Sequence, residues 1–231
     1  MPDYKQNWRN KMLTDIVIPK QDEKDFIIRA RSLGYKGIML LYHPKEYEEK
    51  LQLLREISGL YQDFSISAGI LIESTKAKNI NQYNRRFNCA MIGRGFSPNF
   101  FKKNQVSMIF ELETSSTGSS KYRSSGLNQV LCSEAIRNGK AIGISASQIL
   151  ENEASSEILG RILRNIKIAQ TYKVPIRAAS LAETPDNMRN PYDILSLLRE
   201  LGLNRNMNEL FREPELKNKF IYSKQDEDKN A

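Results

Sequence analysis

The stretch "SSGLNQVLCSEAIRNGKAIGIS", residues 124–145, places a loop, a short amphipathic helix and a buried strand in direct succession. Its Ser/Gly-rich start has turn composition, Leu131, Cys132 and Ile136 recur at helical spacing, and KAIGIS (140–145) is a β-like apolar run. A helix that leads into a fully apolar strand is typical of α/β proteins, whose parallel sheets are covered on both faces. This stretch therefore predicts an α/β fold.

The same alternation of strand-like and helical segments extends through most of the chain. About seven apolar runs are predicted strands, at 13–19, 37–43, 64–73, 88–95, 105–113, 140–145 and 175–182. Neither GxGxxG after the first strand nor GxxxxGK[ST] is present, which disfavours a nucleotide-binding open sheet. We therefore predict a TIM-like β/α barrel with surrounding helices. Residues 1–213 form one predicted domain, and residues 214–231 form a polar tail that is expected to fray.

Composition indicates a folded, water-soluble chain. Of its 231 residues, 40% are hydrophobic and 27% are charged, and no apolar run reaches the roughly 18 residues that a membrane span needs. The polar opening does not resemble a signal peptide, so we expect a cytoplasmic protein with no membrane partner. Cys89 and Cys132 lie in apolar segments without CxxC spacing and are predicted core thiols.

Basic charge is concentrated in particular segments. The formal net charge is +8, and two stretches, 74–110 and 158–182, contain no acidic residue although both contain several lysines and arginines. Segmental positive charge is typical of a surface that binds a polyanion. A solvated basic surface without any partner remains the alternative.

Barrel geometry predicts which polar residues share one face. Loops that leave the C-terminal ends of the strands form a common rim, where function concentrates in these folds. The rim set at or after those strand ends comprises His43, Glu73, Arg94, Glu113, Lys121, Arg123, Glu183 and Arg189. Lys140 and Arg177 begin strands and are predicted at the opposite end.

Catalytic patterns are weak in this sequence. A single histidine cannot build a histidine-rich metal cage, although His43, Glu73 and Glu113, with Asp15 as a further candidate, could form an oxygen-rich Mg²⁺ site. GxSxG is absent, and Cys132 lies on an apolar helical face, which indicates a core position. Ordinary rim polarity is the favoured interpretation, so no catalytic or metal-binding residue is predicted.

Two further basic groups are candidate surfaces for RNA or for a protein partner. In the helix predicted near 155–172, an apolar stripe that includes Ile162 and Ile166 should face the sheet, which would turn Arg161 and Arg164 outward. Arg85 and Arg86 precede Phe87 in the second group, where aromatic and basic residues mix as they do on many nucleic-acid surfaces. Phenylalanines that border apolar strands are nevertheless expected in the core.

Three blocks of sequence carry a family resemblance. They are "RSSGLNQVLCSEAIRNGKAIGIS" (123–145), "LRNIKIAQTYKVPIRAASLA" (163–182) and "MRNPYDILSLLRELGL" (188–203), supported by "LGYKGIMLLYH" (33–43). Together they resemble the ribonuclease P protein component 3 family, archaeal relatives of a eukaryotic nuclear RNase P subunit, over roughly residues 12–205. Gln129 stands where the family usually has histidine.

The resemblance implies a barrel of the polymerase-and-histidinol-phosphatase type that serves in a ribonucleoprotein. Such a subunit binds and stabilises the catalytic RNA that removes the 5′ leader from precursor tRNA, with RNase P protein component 2 as its partner. RNA is the catalyst in that family, so the isolated chain should be inactive, no cofactor is expected on it, and Mg²⁺ is expected for the holoenzyme RNA.

Candidate RNA contacts follow from the rim set and the resemblance. The predicted phosphate-binding cations are Arg94, Lys121, Arg123 and Arg189, because guanidinium and ammonium groups donate to phosphate oxygens. Asn128 and Gln129 would add neutral hydrogen bonds near the same loop. A metal-dependent barrel phosphoesterase and a scaffold that binds only protein are the alternatives.

Overall fold

Seven parallel strands form the sheet. The structure, a computed structural model, describes residues 13–114, 126–150 and 156–214. The strands are β1 (Thr14–Val17), β2 (Gly37–Tyr42), β3 (Ser65–Glu73), β4 (Ala90–Arg94), β5 (Val106–Phe110), β6 (Ala141–Ser145) and β7 (Ile176–Ala179). Each predicted strand is present, because unbroken apolar runs suit a sheet that is buried on both faces.

Strand order closes the sheet into a barrel. Neighbours pair in sequence order from β1 to β7, all of them parallel. The two outer strands then meet: Leu181 N–H donates to Ile16 O at 2.9 Å, and Ile18 N–H donates to Ala182 O at 3.0 Å. The Asp15 carboxylate accepts hydrogen bonds from the backbone N–H and the hydroxyl of Ser180, at 2.8 Å and 2.6 Å. The prediction of a TIM-like β/α barrel is confirmed.

Helices surround the barrel and connect the strands. Those in the described residues are α1 (Glu23–Ser32), α2 (Tyr47–Ser58), α3 (Ile80–Arg86), α4 (Pro98–Lys102), α5 (Gln129–Arg137), α6 (Ala146–Leu150), α7 (Ser156–Thr171), α8 (Pro191–Glu200) and α9 (Met207–Leu210). Short 3₁₀ turns lie at Ser74–Asn79, Leu112–Thr114 and Pro185–Asn187. Sequence periodicity did not predict α4, α6 and α9, since four or five residues are too few to show a helical repeat.

Strand alternation divides the apolar residues between two cores. Side chains such as Ile38 and Leu40 face the helices, whereas Met39 and Leu41 on the same strand face the barrel interior. In the interior, the ring of Phe110 lies over Gly143, where an added Cβ would approach the ring to 2.4 Å. The ring therefore fills the middle of the barrel because β6 has no side chain at that point.

The C-terminal part of the chain covers the N-terminal end of the barrel. Phe211, which follows α9, accepts a hydrogen bond from Thr14 N–H at 3.0 Å through its backbone oxygen. Upstream, Asn190 caps α8 by accepting from Tyr192 N–H at 2.8 Å, as the Asn-Pro start predicts. The tail expected to fray lies, from residue 215 onward, outside the described residues.

Other features of the described chain match the sequence. Cys132 is fully buried, Cys89 is half-buried, and neither forms a disulfide, which confirms the prediction of core thiols. Phe100 and Phe101 are also fully buried in the helix-facing core. Across residues 13–114, 126–150 and 156–214, no helix is both long and apolar enough to cross a membrane.

Candidate nucleic-acid interface

The mouth of the barrel, defined here as the C-terminal ends of its strands, is built around one guanidinium group. Arg94 ends β4 and donates from Nε to Glu111 Oε2 at 2.6 Å. Its NH1 lies 3.6 Å from Glu183 Oε1 and 3.9 Å from Glu73 Oε1. Parallel pairing explains the last contact, because Glu73 and Arg94 are register partners. The sequence prediction that brought Glu73, Arg94 and Glu183 to one end of the barrel is confirmed.

The mouth contains more carboxylates than cations. Arg94 and Lys20, which lies 2.8 Å from Glu183 Oε2, face three carboxylates. Burial raises the pKa of Glu73, an effect that Arg94 and then His43 partly oppose, while the hydrogen bond from Lys20 lowers the pKa of Glu183. The Arg94 guanidinium is thus already neutralised by the protein, and a phosphate would compete with these carboxylates for it.

Glu113, expected on the rim, lies instead between the barrel and α7. Its side chain is 3% exposed, and Oε2 accepts from Asn165 Nδ2 at 3.4 Å. Burial raises the pKa of this carboxyl to about 7. β5 ends at Phe110, and the following 3₁₀ turn directs Glu113 sideways and away from the mouth.

The alternative metal site is therefore not assembled. Asp15 is fully buried beside Ser180, and burial raises its pKa to about 6. Glu113 packs against α7, whereas His43 and Glu73 remain at the mouth. In the part of the chain that the structure describes, no group of three His, Cys, Asp or Glu residues could hold a metal ion.

Arg161 does not face outward, so the prediction for this residue is wrong. It is 8% exposed and donates from NH1 to the backbone oxygen of Glu113 at 3.1 Å. The buried side of α7 includes Arg161 and Asn165 as well as Ile162 and Ile166. The two polar side chains can be buried because Glu113 accepts hydrogen bonds from both of them. Arg164, by contrast, is exposed as predicted.

Arg189 also departs from the predicted rim. Its backbone oxygen accepts from the Tyr35 hydroxyl at 2.9 Å, and the adjacent Asn190 donates to Leu33 O at 3.1 Å. Leu33 and Tyr35 precede β2, so this contact lies towards the N-terminal end of the barrel. The segment after β7 turns back along the outside of the barrel, which separates Arg189 from Arg94. Its side chain donates to Asp186 O at 2.8 Å and to Met188 O at 3.1 Å.

Comparison with known proteins identifies the family. The family model for "RNase P subunit p30" matches residues 12–210. The chain belongs to the RNase P subunit p30 family. "Ribonuclease P protein component 3" of Methanosarcina mazei is 29% identical over 179 residues, covering 75% of this chain and 72% of that protein. Its counterpart in Methanothermobacter thermautotrophicus is 24% identical over 186 residues, covering 77% and 74%.

A solved structure has the same fold. A chain in the "cryo-EM structure of archaeal Ribonuclease P with mature tRNA" superimposes with a TM-score of 0.68 at 17% identity, covering 84% of this chain and 86% of that chain. The family resemblance identified from the sequence is confirmed, and with it the assignment of the chain as a protein subunit of ribonuclease P.

The described part of the sequence block that carries the p30-family resemblance begins at Gly126, which packs against Phe96. Lys121 and Arg123 lie outside the described residues, but the chain re-enters at Gly126, with φ +80°, against the ring of Phe96. An added Cβ at Gly126 would lie 2.8 Å from that ring. Both the positive φ and the close approach require glycine here. Phe96 lies two residues after the end of β4 at Arg94, so the contact holds Gly126 near the mouth.

Downstream of Gly126, the block starts α5 at the same end of the barrel. Leu127 is buried, and Asn128 caps α5 by accepting from Leu131 N–H at 3.0 Å. Gln129, the first residue of α5, is exposed. The side-chain oxygen of Asn128 is therefore used in the helix cap. The side-chain NH₂ of Asn128 and the side-chain amide of Gln129 are the groups that can bind a ligand.

Exposed cations without carboxylate partners cluster on the acid-free stretch of this p30-family chain. Arg86 is not among them, since its guanidinium pairs with Glu48 through contacts of 2.9 Å and 3.2 Å and lies over the Phe87 ring. Within the described residues, exposed cations of this stretch that form no ion pair are Lys76, Lys78, Arg85 and Lys102. The absence of acidic residues from 74 to 110 was the available signal, although only Arg85 of these four was selected from the sequence.

Proposed function

We propose that this chain binds and stabilises the catalytic RNA of ribonuclease P, which removes the 5′ leader from precursor tRNA, and that the isolated chain has no nuclease activity. The observation that carries the proposal is the p30 family match over residues 12–210. The geometry supports a binding role, because the polar mouth is occupied by an internal Arg94 network and the alternative metal ligands are dispersed.

RNA contact is proposed for two groups of residues, one next to Gly126 in the sequence and one on the acid-free stretch 74–110. The first group comprises Lys121 and Arg123, which precede Gly126 in the sequence, and Asn128 and Gln129, which follow it at the start of α5. The second group is the set of exposed cations without ion pairs on the acid-free stretch. This set replaces the candidate surface that the sequence predicted at Arg85 and Arg86. Exposed lysines and arginines without carboxylate partners release counterions when they meet phosphates, which makes binding strongly salt-dependent. RNA contact by Arg94 or Arg189 stays a prediction.

Arg164, exposed on α7, is proposed as part of the surface for the protein partner. RNase P protein component 2 is the proposed partner. We also propose that the RNA of the holoenzyme requires Mg²⁺ and that the complex works in the cytoplasm. α7 supports a contact of this kind because Leu163, beside Arg164, is an exposed hydrophobic residue at 42%.

Reconstitution tests the proposal. The matching RNA and its other protein subunits should cleave precursor tRNA faster, or at lower Mg²⁺, when the folded chain is added. No gain in cleavage at any ratio of chain to RNA would contradict the proposed function.

Salt titration tests the proposed contacts. The double variant Lys121→Ala/Arg123→Ala should lower RNA affinity and reduce the slope of log K against log salt by about 0.7–0.9 for each lost phosphate contact. Lys24→Ala/Arg29→Ala, which removes two exposed charges from α1, is the matched control. Equal slopes for both variants and the wild type would place the RNA contacts elsewhere.

A further inference from the structure

The exposed cations of the acid-free stretch lie on two neighbouring connections on the outside of the barrel. They are Lys76, Lys78, Arg85 and Lys102, defined here as the basic stripe. The 3₁₀ turn Ser74–Asn79 starts at the mouth, directly after β3, and α3 leads from it towards the opposite end, where β4 begins. The next connection, from β4 to β5, contains α4, which contacts the 3₁₀ turn. The basic stripe therefore belongs to one continuous surface.

The positive charge of the basic stripe is not neutralised by the protein. None of its four cations forms an ion pair in residues 13–114, 126–150 and 156–214. Arg86 of α3 differs, because Glu48 pairs with it at 2.9 Å. Arg94 at the mouth is likewise held by carboxylates. The basic stripe thus has the stronger attraction for a polyanion.

The spacing of the cations suits several phosphates in a row. At about 2.0 Å per residue in the 3₁₀ turn and about 1.5 Å in α3, Lys76 and Arg85 are separated by at most about 15 Å along the helical axis. A nucleic-acid duplex carries roughly one negative charge for each 1.7 Å of its axis. A duplex that lies along this surface would therefore offer a phosphate to each cation.

The aromatic rings of the same stretch face the core and not the basic stripe. Phe87, Phe100 and Phe101 are at most 5% exposed, and Tyr83 and Phe96 pack partly buried against the helix-facing core. Proteins that hold single-stranded nucleic acid stack its bases on aromatic rings at the surface. Residues 74–104, all of which the structure describes, contain no exposed ring of this kind. This surface is therefore poorly suited to unpaired bases.

Neutral hydrogen-bonding groups lie beside the cations. Ile80 and Phe87 place one side of α3 against the core, which turns Arg85 outward at about 100° per residue. Asn81 and Gln82 are exposed within about 60° of Arg85 on the same helix. A side-chain amide both donates and accepts hydrogen bonds, as the 2′-hydroxyl of RNA does. The surface can thus contact ribose as well as phosphate.

We propose that the basic stripe binds the sugar–phosphate backbone of a double-helical segment of RNA and recognises its shape, not its base sequence. Double-stranded RNA is recognised mainly through phosphates and 2′-hydroxyls, which are the groups that this surface can contact. The inference rests on the RNA-binding function proposed above and names the kind of RNA that this surface takes.

Binding of the full chain to three fluorescent RNA probes tests the inference. The probes are a duplex of about 16 base pairs, a duplex of the same length with shuffled sequence, and one strand of the first duplex alone. The wild type should bind the two duplexes equally and the single strand at least about fivefold more weakly. This comparison needs no variant, so it decides the question even if a variant fails to fold.

A triple variant tests whether the basic stripe is the surface responsible. Lys76→Ala/Lys78→Ala/Arg85→Ala should lower duplex affinity at least about tenfold and reduce the slope of log K against log salt by roughly 0.9 for each lost phosphate contact. Lys24→Ala/Arg29→Ala/Lys36→Ala removes three exposed charges from the mixed-charge region at and after α1 and should stay within about twofold of the wild type.

Two results would overturn the inference: single-strand affinity equal to or higher than duplex affinity, or equal duplex affinity in the two triple variants. Its failure can be told apart from failure of the proposed function. A chain that speeds reconstituted cleavage but prefers single strands contradicts the duplex site alone. A chain that prefers duplexes through the basic stripe but gives no gain in cleavage supports the duplex site and contradicts the proposed function.

Discussion

Replacing Glu113 with glutamine should stabilise the protein in a way that depends on pH. The carboxyl group is buried between the 3₁₀ turn after β5 and α7, where Oε2 meets Asn165 at 3.4 Å. Its other oxygen, Oε1, has no hydrogen-bond partner among the described residues. Burial disfavours the charged form and raises the pKa from 4.5 to about 7.

The direction of the effect follows from proton linkage. Well below pH 4.5 the carboxyl is protonated in both the folded and the unfolded chain, so its contribution to stability is fully present. As pH rises towards 7, the unfolded chain releases this proton first, and the folded state loses stability. Folded and unfolded pKa values differ by about 2.5, which at about 1.36 kcal/mol for each pKa unit amounts to about 3 kcal/mol above pH 7.

Urea unfolding of the wild type and Glu113→Gln from pH 5 to pH 8 measures this contribution. Glutamine keeps the shape of the side chain and cannot ionise, so the two free energies of unfolding should differ by no more than about 1 kcal/mol at pH 5, where the loss has only begun. At pH 8 the variant should be more stable by about 3 kcal/mol. The shifted pKa of Asp15 is common to both proteins and cancels in the comparison.

A matched control separates burial from net charge. Glu49→Gln removes the same charge from an exposed position on α2 and should show no comparable rise in relative stability with pH. A free-energy difference for Glu113→Gln that is the same at pH 5 and pH 8 would refute the linkage reasoning.

Other perturbations test the packing and the mouth. Arg94→Met should cost about 1–3 kcal/mol in urea unfolding near neutral pH, because it leaves the mouth carboxylates without their shared partner, and the cost should shrink at acidic pH as they protonate. Gly143→Ala places a Cβ 2.4 Å from the Phe110 ring and should cost about 1–3 kcal/mol by the same assay, whereas Gly59→Ala, with its nearest atom at 3.7 Å, should cost little. Asn190→Ala should lower the free energy of unfolding by about 1–2 kcal/mol through loss of the helix cap and of the hydrogen bond to Leu33 O, and Asn190→Asp, which keeps the cap but cannot donate to Leu33 O, should recover only part of this loss.

Strand and helix positions could be predicted wherever the determining signal is local. Unbroken apolar runs predicted every strand, and the Asn190-Pro191 start predicted the cap of α8. The five-residue α4 was missed because it spans little more than one turn, although Pro98 at its start and the buried pair Phe100 and Phe101 mark it in retrospect.

The side of α7 that faces the barrel could not be read from its own sequence. Arg161 borders the apolar stripe as closely as some apolar residues do, and helical periodicity alone assigns a cation in that position to solvent. Its burial depends on Glu113, whose backbone oxygen accepts its hydrogen bond from a different part of the chain. Polar partners of this kind become visible only when the turn after β5 is placed against the helix.

For the mouth, the alternation of strands and helices predicted which end Glu73, Arg94 and Glu183 share, because parallel strands bring their C-terminal ends together. It did not predict that these carboxylates would neutralise Arg94, since ion pairing depends on angles and distances within a few ångströms. Nor did it predict that the segment after β7 carries Arg189 towards the opposite end.

By itself, then, the sequence determined the α/β alternation, the barrel class and the family, because these depend on periodicity and on motifs contained in short segments. Tertiary structure alone decided which cations stay available to a polyanion. That outcome depends on which carboxylates and carbonyl oxygens from distant segments come within bonding distance of each lysine and arginine.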